Sequence, residues 1–214
     1  VTRGRFITFE GGEGAGKSTQ AARLAERLRA ASLEVVQTRE PGGSPGAEAL
    51  RALVVSGDAG RWSPLAETLI LYAARADHLE RVIRPALDRG AWVVCDRFSD
   101  STRAYQGAGG GVPDRVIEAL DATVVGPDQP DLTLMLDAPV EVGLERARVR
   151  GGDARFESMG HAFHDRLREA FLAIAGAAPG RCVVMDATAA PDAVAAQVWD
   201  AVERRLLSRS AEHG

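Results

Sequence analysis

Hydrophobic residues in this chain follow two alternating patterns. Five short runs, Phe6–Phe9, Glu34–Thr38, Trp92–Cys95, Leu132–Leu136 and Cys182–Met185, are rich in β-forming side chains, and several are apolar at consecutive positions. A strand that is apolar on both faces must be covered on both, as when helices flank a sheet. Between these runs the period changes to that of a helix. Leu24 and Leu28 share a face after the first run, and Val194, Val198, Val202 and Leu206 form an i, i+4 stripe towards the C-terminus. This alternation predicts an α/β fold: a mostly parallel five-stranded sheet flanked by helices.

Two segments depart from the alternation. Residues 107–114, Gly-Ala-Gly-Gly-Gly-Val-Pro-Asp, are glycine-rich and predict a loop. Residues 146–168 gather Arg146, Arg148, Arg150, Arg155, Arg166 and Arg168 around Gly151-Gly152, and predict a mobile basic segment. No repeat or low-complexity linker divides the chain, so its 214 residues read as one domain, 1–214, with a short Arg-rich lid over about 146–163.

Composition narrows the partners. A net charge of −4 argues against a long nucleic-acid surface, which needs a basic stripe, but leaves room for a small anion held by local arginines. No apolar stretch approaches the ~20 residues needed to span a bilayer. The N-terminus lacks the apolar core of a signal peptide, so no membrane partner and a cytoplasmic location are expected. Cys95 and Cys182 sit in apolar runs and read as buried strand residues. All but one of the 26 cationic side chains are arginine; the exception is Lys17.

That lysine lies in Gly11-Gly12-Glu13-Gly14-Ala15-Gly16-Lys17-Ser18, a match to G-x-x-x-x-G-K-[ST] between a predicted strand and a predicted helix. Glycines let successive backbone N–H groups turn towards one anion, and the helix N-terminus adds partial positive charge. Lys17 brings a compact ammonium to the β- and γ-phosphates, and Ser18 offers a hydroxyl to Mg²⁺. Glu13 is electrostatically odd in such a loop, unless it meets a sugar hydroxyl, an arginine or metal-bound water. The ligand predicted is a nucleoside triphosphate. A guanine-reading N-K-x-D motif needs asparagine, and this chain contains none.

Four motifs in order then resemble those of thymidylate kinases. They are Phe9-Glu10-Gly11 through Thr19, Thr38-Arg39-Glu40-Pro41-Gly42-Gly43-Ser44, Tyr72-Ala73-Ala74-Arg75, and Asp96-Arg97-Phe98 through Gly107. The match is collinear from residue 6 to about 186. The resemblance implies a P-loop NTPase fold, a homodimer, and transfer of phosphate from ATP, with Mg²⁺, to dTMP. It implies ATP contacts from residues 11–19 (Gly11, Gly12, Glu13, Gly14, Ala15, Gly16, Lys17, Ser18, Thr19), and metal contacts from Ser18 and Asp96.

On the acceptor side it implies that Arg97 grips the monophosphate with Arg39 nearby, that Glu10 and Glu40 belong to the substrate site, and that Ser101, Thr102 and Gln106 line the base pocket. Tyr105 would crowd the sugar 2′ position. Leu71 and Arg75, four apart on a predicted helix, would meet the base, with Leu71 where the family usually has an aromatic ring. Asp186-Ala187-Thr188 would border the adenine. Residues 12–15 hold no arginine, so the resemblance places the catalytic arginine in the lid, alongside Lys17, Arg97 and Glu13. Arg150 is the first choice, with Arg146 and Arg155 behind it. An extended Arg-x-Arg-x-Arg segment would face all three one way; a helix would spread them. A kinase for another nucleotide or deoxynucleoside, and an ATP-dependent switch protein, are the alternatives.

Overall fold

The computed structural model describes residues 2–56, 60–151 and 159–208. Among these, β1 (Phe6–Gly11), β2 (Val35–Arg39), β3 (Trp92–Asp96), β4 (Leu132–Asp137) and β5 (Cys182–Asp186) form one sheet in the order β2-β3-β1-β4-β5. Every pairing is parallel. Each strand runs one or two residues beyond the predicted carboxyl end, because ladder hydrogen bonds continue through Asp96, Asp137 and Asp186, which no hydrophobic pattern marks.

The connections are α1 (Lys17–Ala30), α2 (Pro45–Val55), α3 (Pro64–His78), α4 (Arg84–Asp88), α5 (Ser99–Thr102), α6 (Asp114–Val124), α7 (Val140–Arg150), α8 (His161–Ala177) and α9 (Pro191–Val202). Wider π-helical turns extend α3, α5 and α9 over Leu79–Ile83, Arg103–Gly109 and Glu203–Leu207. α2 and α3 start alike: Ser44 and Ser63 accept from the backbone N–H of Ala47 and Ala66, and a proline follows each serine.

Alternation along β1 sorts the core. Ile7 and Phe9 pack with Leu24 and Leu28 of α1 and with Val198 and Val202 of α9. Phe6 packs on the other side with Leu79, Ile83 and Leu87. Leu28 is fully buried, and such burial of a leucine contributes about 1.5–3 kcal/mol. The two predicted helical stripes are thus core stripes, and Cys95 and Cys182 are free and buried.

Both exceptional segments turn out more regular than predicted. Helical backbone continues through Gly109, where the glycine also permits close packing. A β-carbon on Gly109 would lie 2.7 Å from the Phe163 ring. The basic segment is helical on either side of residues 152–158. Arg148 pairs with Glu145 on α7, and Arg168 of α8 pairs with Asp137 at the end of β4. On this helix Arg146 and Arg148, two residues apart, point in different directions. α7 ends where Gly151 adopts φ 70°.

β1 is central, with β3 on one side and β4 on the other. The carboxyl edge of such a strand, where chain connections diverge, is where open α/β sheets bind ligands.

Candidate active site

β1 delivers the chain into the glycine loop, and α1 begins at Lys17. The turn uses left-handed backbone at Gly14 and Gly16, φ 65° and 90°. Lys17 folds back over the loop, donating to the Gly12 carbonyl at 2.6 Å. Burial, reinforced by the nearby Arg97 cation, lowers its pKa from 10.5 to about 8. Ser18 donates to Asp96 Oδ2 at 2.5 Å, which puts two hard oxygens side by side next to the loop.

The loop is also wedged against α7. A β-carbon on Gly143 would come within 2.4 Å of the Glu13 carbonyl oxygen, and one on Gly14 within 1.9 Å of the Gly143 carbonyl oxygen. Paired glycines let two backbones touch, so α7 rides on the cradle. Gly143→Ala is expected to push them apart and weaken ATP binding at least about tenfold, as read by calorimetric titration, since overpacking of this kind costs roughly 1–3 kcal/mol.

Beside the cradle opens a cleft of about 240 Å³. Arg97 stands between the two. Its backbone is left-handed (φ 69°), held by its N–H to the Phe9 carbonyl at 2.9 Å and by the Cys95 thiol donating to its own carbonyl at 3.0 Å. Nη1 donates to the Gly11 carbonyl and to Ser101 Oγ, and Nη2 to Glu13 Oε1 and the Tyr105 oxygen, each at 3.0 Å. Tyr105 donates to the same Glu13 oxygen at 2.6 Å. The odd carboxylate of the phosphate loop therefore meets an arginine. Burial works against the charge on Arg97, but Tyr105, Glu13, Asp96 and Glu10 outweigh it and raise its pKa, so the guanidinium stays cationic.

At the far end of the cleft, Arg75 is 3% exposed. It donates to Glu40 Oε2 at 2.8 Å and to Thr102 Oγ1 at 2.9 Å, and lies against the Tyr72 and Phe98 rings. His78 backs Glu40, its Nδ1 3.0 Å from Oε1 and its Nε2 2.7 Å from Thr38 Oγ1. Arg75 Nη1 is buried with no hydrogen-bond partner among the described residues.

A glycine loop at the start of a helix thus adjoins an arginine-lined cleft with an enclosed polar end. Residues 9–198 match the family described as thymidylate kinase. The chain belongs to the thymidylate kinase family. It is 64% identical to the thymidylate kinase of Caulobacter vibrioides, over 96% of this chain and 99% of that one. It is 57% identical to the thymidylate kinase of Nitrobacter winogradskyi, over 98% of this chain and 92% of the relative. Among solved structures it resembles the thymidylate kinase of Ehrlichia chaffeensis, with a TM-score of 0.76, 34% identity, and 94% and 99% of the two chains covered. It is a nucleoside monophosphate kinase with the P-loop NTPase fold of that family.

Most of the thymidylate kinase residues read from the sequence meet at this cleft. Glu13, Gly14, Gly16, Lys17, Ser18 and Asp96 border it on the cradle side. Arg39, Glu40, Leu71, Arg75, Arg97, Ser101, Thr102, Tyr105 and Gln106 line the rest. Arg39 is half exposed there and paired with Glu48. Gly11, Gly12 and Ala15 lie behind the loop, around a smaller cavity it shares with α7 and α8.

Three of the residues named from the sequence lie off this cleft. Glu10 is fully buried beneath the cleft rather than on its wall, and it accepts from the N–H groups of Phe98 and Ser101 and from Ser101 Oγ. Burial and the neighbouring Asp100 raise its pKa to about 8. Thr19 is exposed in the first turn of α1, off the cleft. Arg146 donates to the Ala187 and Thr188 carbonyls, in the loop assigned to the adenine, and not to the cradle. Arg150 is the last residue of α7, and Arg155 lies outside the described residues.

Sequence reasoning missed Arg51, Val54 and Val55 of α2, which wall the cleft, together with Glu67 and His78, which support it. One signal was present for the last two. Glu67 precedes Leu71 by four residues, and His78 follows Arg75 by three, so both lie on the helix face already marked.

Proposed function

We propose that this protein transfers the γ-phosphoryl group of ATP to dTMP in one in-line step, giving ADP and dTDP and so feeding dTTP synthesis. What carries this reading is the place of Arg97. One guanidinium bonds the last residue of the strand that feeds the cradle and also borders the cleft where an acceptor phosphate would enter. An ATP-dependent switch has no use for that second phosphate site.

In such a reaction the protein mostly positions charge. Lys17 and the loop N–H groups hold the donor phosphates, and Arg97 holds the acceptor phosphate bidentately. Tyr105 and Glu13 keep Arg97 aligned, and both border the space for the sugar. Mg²⁺ fits the oxygens of Ser18 and Asp96, since it binds one or two protein oxygens plus phosphates; among the described residues no group of three or more His, Cys, Asp or Glu could hold a metal. When bound, it would neutralise charge between the β- and γ-oxygens.

The lid arginine belongs to the same reading. Arg150 ends a helix whose other end is locked to the cradle by Gly143, a fixed base for an arginine that closes on the transferring phosphate. Arg150→Ala is expected to lower kcat at least about tenfold with a smaller change in ATP affinity, since such arginines act chiefly on the transition state. An almost unchanged kcat in steady-state assays would remove the lid arginine from the mechanism.

A homodimer in the cytoplasm completes the proposal. Leu53 of α2 and Leu65 and Leu69 of α3 are 37%, 48% and 49% exposed on two packed helices, which supports a self-association face. Among the described residues no helix is long and apolar enough to cross a membrane. The deciding assay is ADP production from ATP with dTMP, dUMP, UMP, AMP, GMP or CMP as acceptor. Turnover with AMP or GMP but not dTMP would overturn the acceptor assignment, and turnover indifferent to any monophosphate would favour a switch.

A further inference from the structure

A glutamine side chain carries a donor at one end and an acceptor at the other, so whatever holds it decides which end a ligand meets. Gln106 is 4% exposed and borders the cleft, and its Nε2 donates to Glu67 Oε1 at 2.9 Å. Glu67, itself 7% exposed, comes from α3, one turn before Leu71 and two before Arg75. A carboxylate accepts and does not donate. It therefore draws the amide nitrogen and leaves the amide oxygen for the cleft. At the same end of the cleft lies the buried donor Nη1 of Arg75, without a hydrogen-bond partner among the described residues.

An acceptor beside a donor matches one edge of thymine, whose N3–H donates and whose O4 accepts. Cytosine reverses both, with a lone pair on N3 and an amino group on C4. We propose that Glu67 is a specificity-determining positioning residue: by taking the amide nitrogen of Gln106, it fixes an acceptor towards the base and so excludes dCMP. Glu67 touches no substrate; it acts through Gln106. The inference rests on dTMP as the acceptor.

Glu67→Gln tests it. The new amide can hold Gln106 in either orientation, so a donor can face the base. The ratio of kcat/KM for dTMP over dCMP is expected to fall at least about tenfold, because a mismatched buried polar group is what sites use to reject analogues. The fall should come mainly through KM, with kcat for saturating dTMP within about threefold of the parent. The dTMP to dUMP ratio should not move, because uracil has the same imide edge.

A merely structural role for Glu67 would lower all three nucleotides together. The swap Glu67→Gln with Gln106→Glu again leaves an acceptor-only group at the cleft, and should restore the dTMP to dCMP ratio to within about threefold of the parent. These ratios do not depend on the fraction of folded enzyme. If the single variant fails to fold, Gln106→Glu alone, whose two carboxylates repel, is expected to lower the ratio that the swap retains, and equal ratios in the two overturn the lock. A ratio unchanged in Glu67→Gln, or not restored by the swap, overturns the lock. A parent enzyme inactive with dTMP would instead overturn the acceptor assignment.

Discussion

Replacing Arg97 with alanine is expected to lower kcat/KM for dTMP by about a thousandfold or more, because preorganised donors at a reacting phosphate contribute on that scale. Two losses combine. The acceptor phosphate loses its bidentate clamp, and Glu13 loses its cationic partner 3.0 Å away inside the phosphate loop. With less positive charge to balance it, that carboxylate repels both nucleotides. Arg97→Lys should recover little, since one ammonium cannot reach the Gly11 carbonyl, Ser101, Glu13 and Tyr105 together as the fork does. Adding Glu13→Gln to Arg97→Ala should restore part of the ATP affinity by removing the repulsion. A loss below about tenfold in the single variant would contradict the placement of the phosphate at this arginine.

Lys17→Met should weaken ATP binding on the donor side by about ten- to a hundredfold, a charge-assisted hydrogen bond to phosphate contributing about 1.5–3 kcal/mol, before any loss of turnover. The buried ammonium also gives a pH signature. Its pKa is lowered from 10.5 to about 8, so between those values the folded chain holds fewer protons here than the unfolded chain. The cost of burying the charge is therefore full below pH 8 and is relieved as pH rises towards 10.5.

Triphosphate binding favours the charged form and draws the proton back. ATP affinity should thus fall as pH rises above about 8, by up to about tenfold per unit, and calorimetry near pH 8 in buffers of different ionisation enthalpy should register proton uptake. Lys17→Met should abolish both effects, and an equal slope in the variant would assign the proton elsewhere.

Some of this was legible in the chain because its causes are local. A strand apolar on both faces, a glycine loop and a helix must follow one another for a backbone to cradle phosphate, so residues 6 to 30 announce themselves. Asp96-Arg97 follows the apolar run of β3 and therefore had to emerge at the carboxyl edge. Leu71 and Arg75 share a helix face by spacing alone. Residues 146–150 were harder: Arg-x-Arg-x-Arg reads equally as strand or helix, and the close approach of Gly143 to Glu13, which sets α7 against the glycine loop, joins two distant stretches of chain.

The sequence by itself determined the fold class, the glycine loop between β1 and α1, and the emergence of Arg97 at the carboxyl edge of the sheet, because each depends on residues close together or on a hydrophobic period. Tertiary structure alone decided what those residues are set against. It placed Glu10 beneath the floor as a brace for the Phe98–Ser101 turn, sent Arg146 to the Ala187–Thr188 carbonyls, and gave Glu13 to Arg97. It also brought Glu67 to Gln106 and His78 to Glu40 across 39 and 38 residues of chain. Such pairs leave no periodic trace, because a buried polar group is satisfied by whichever partner the packing brings within about 3 Å.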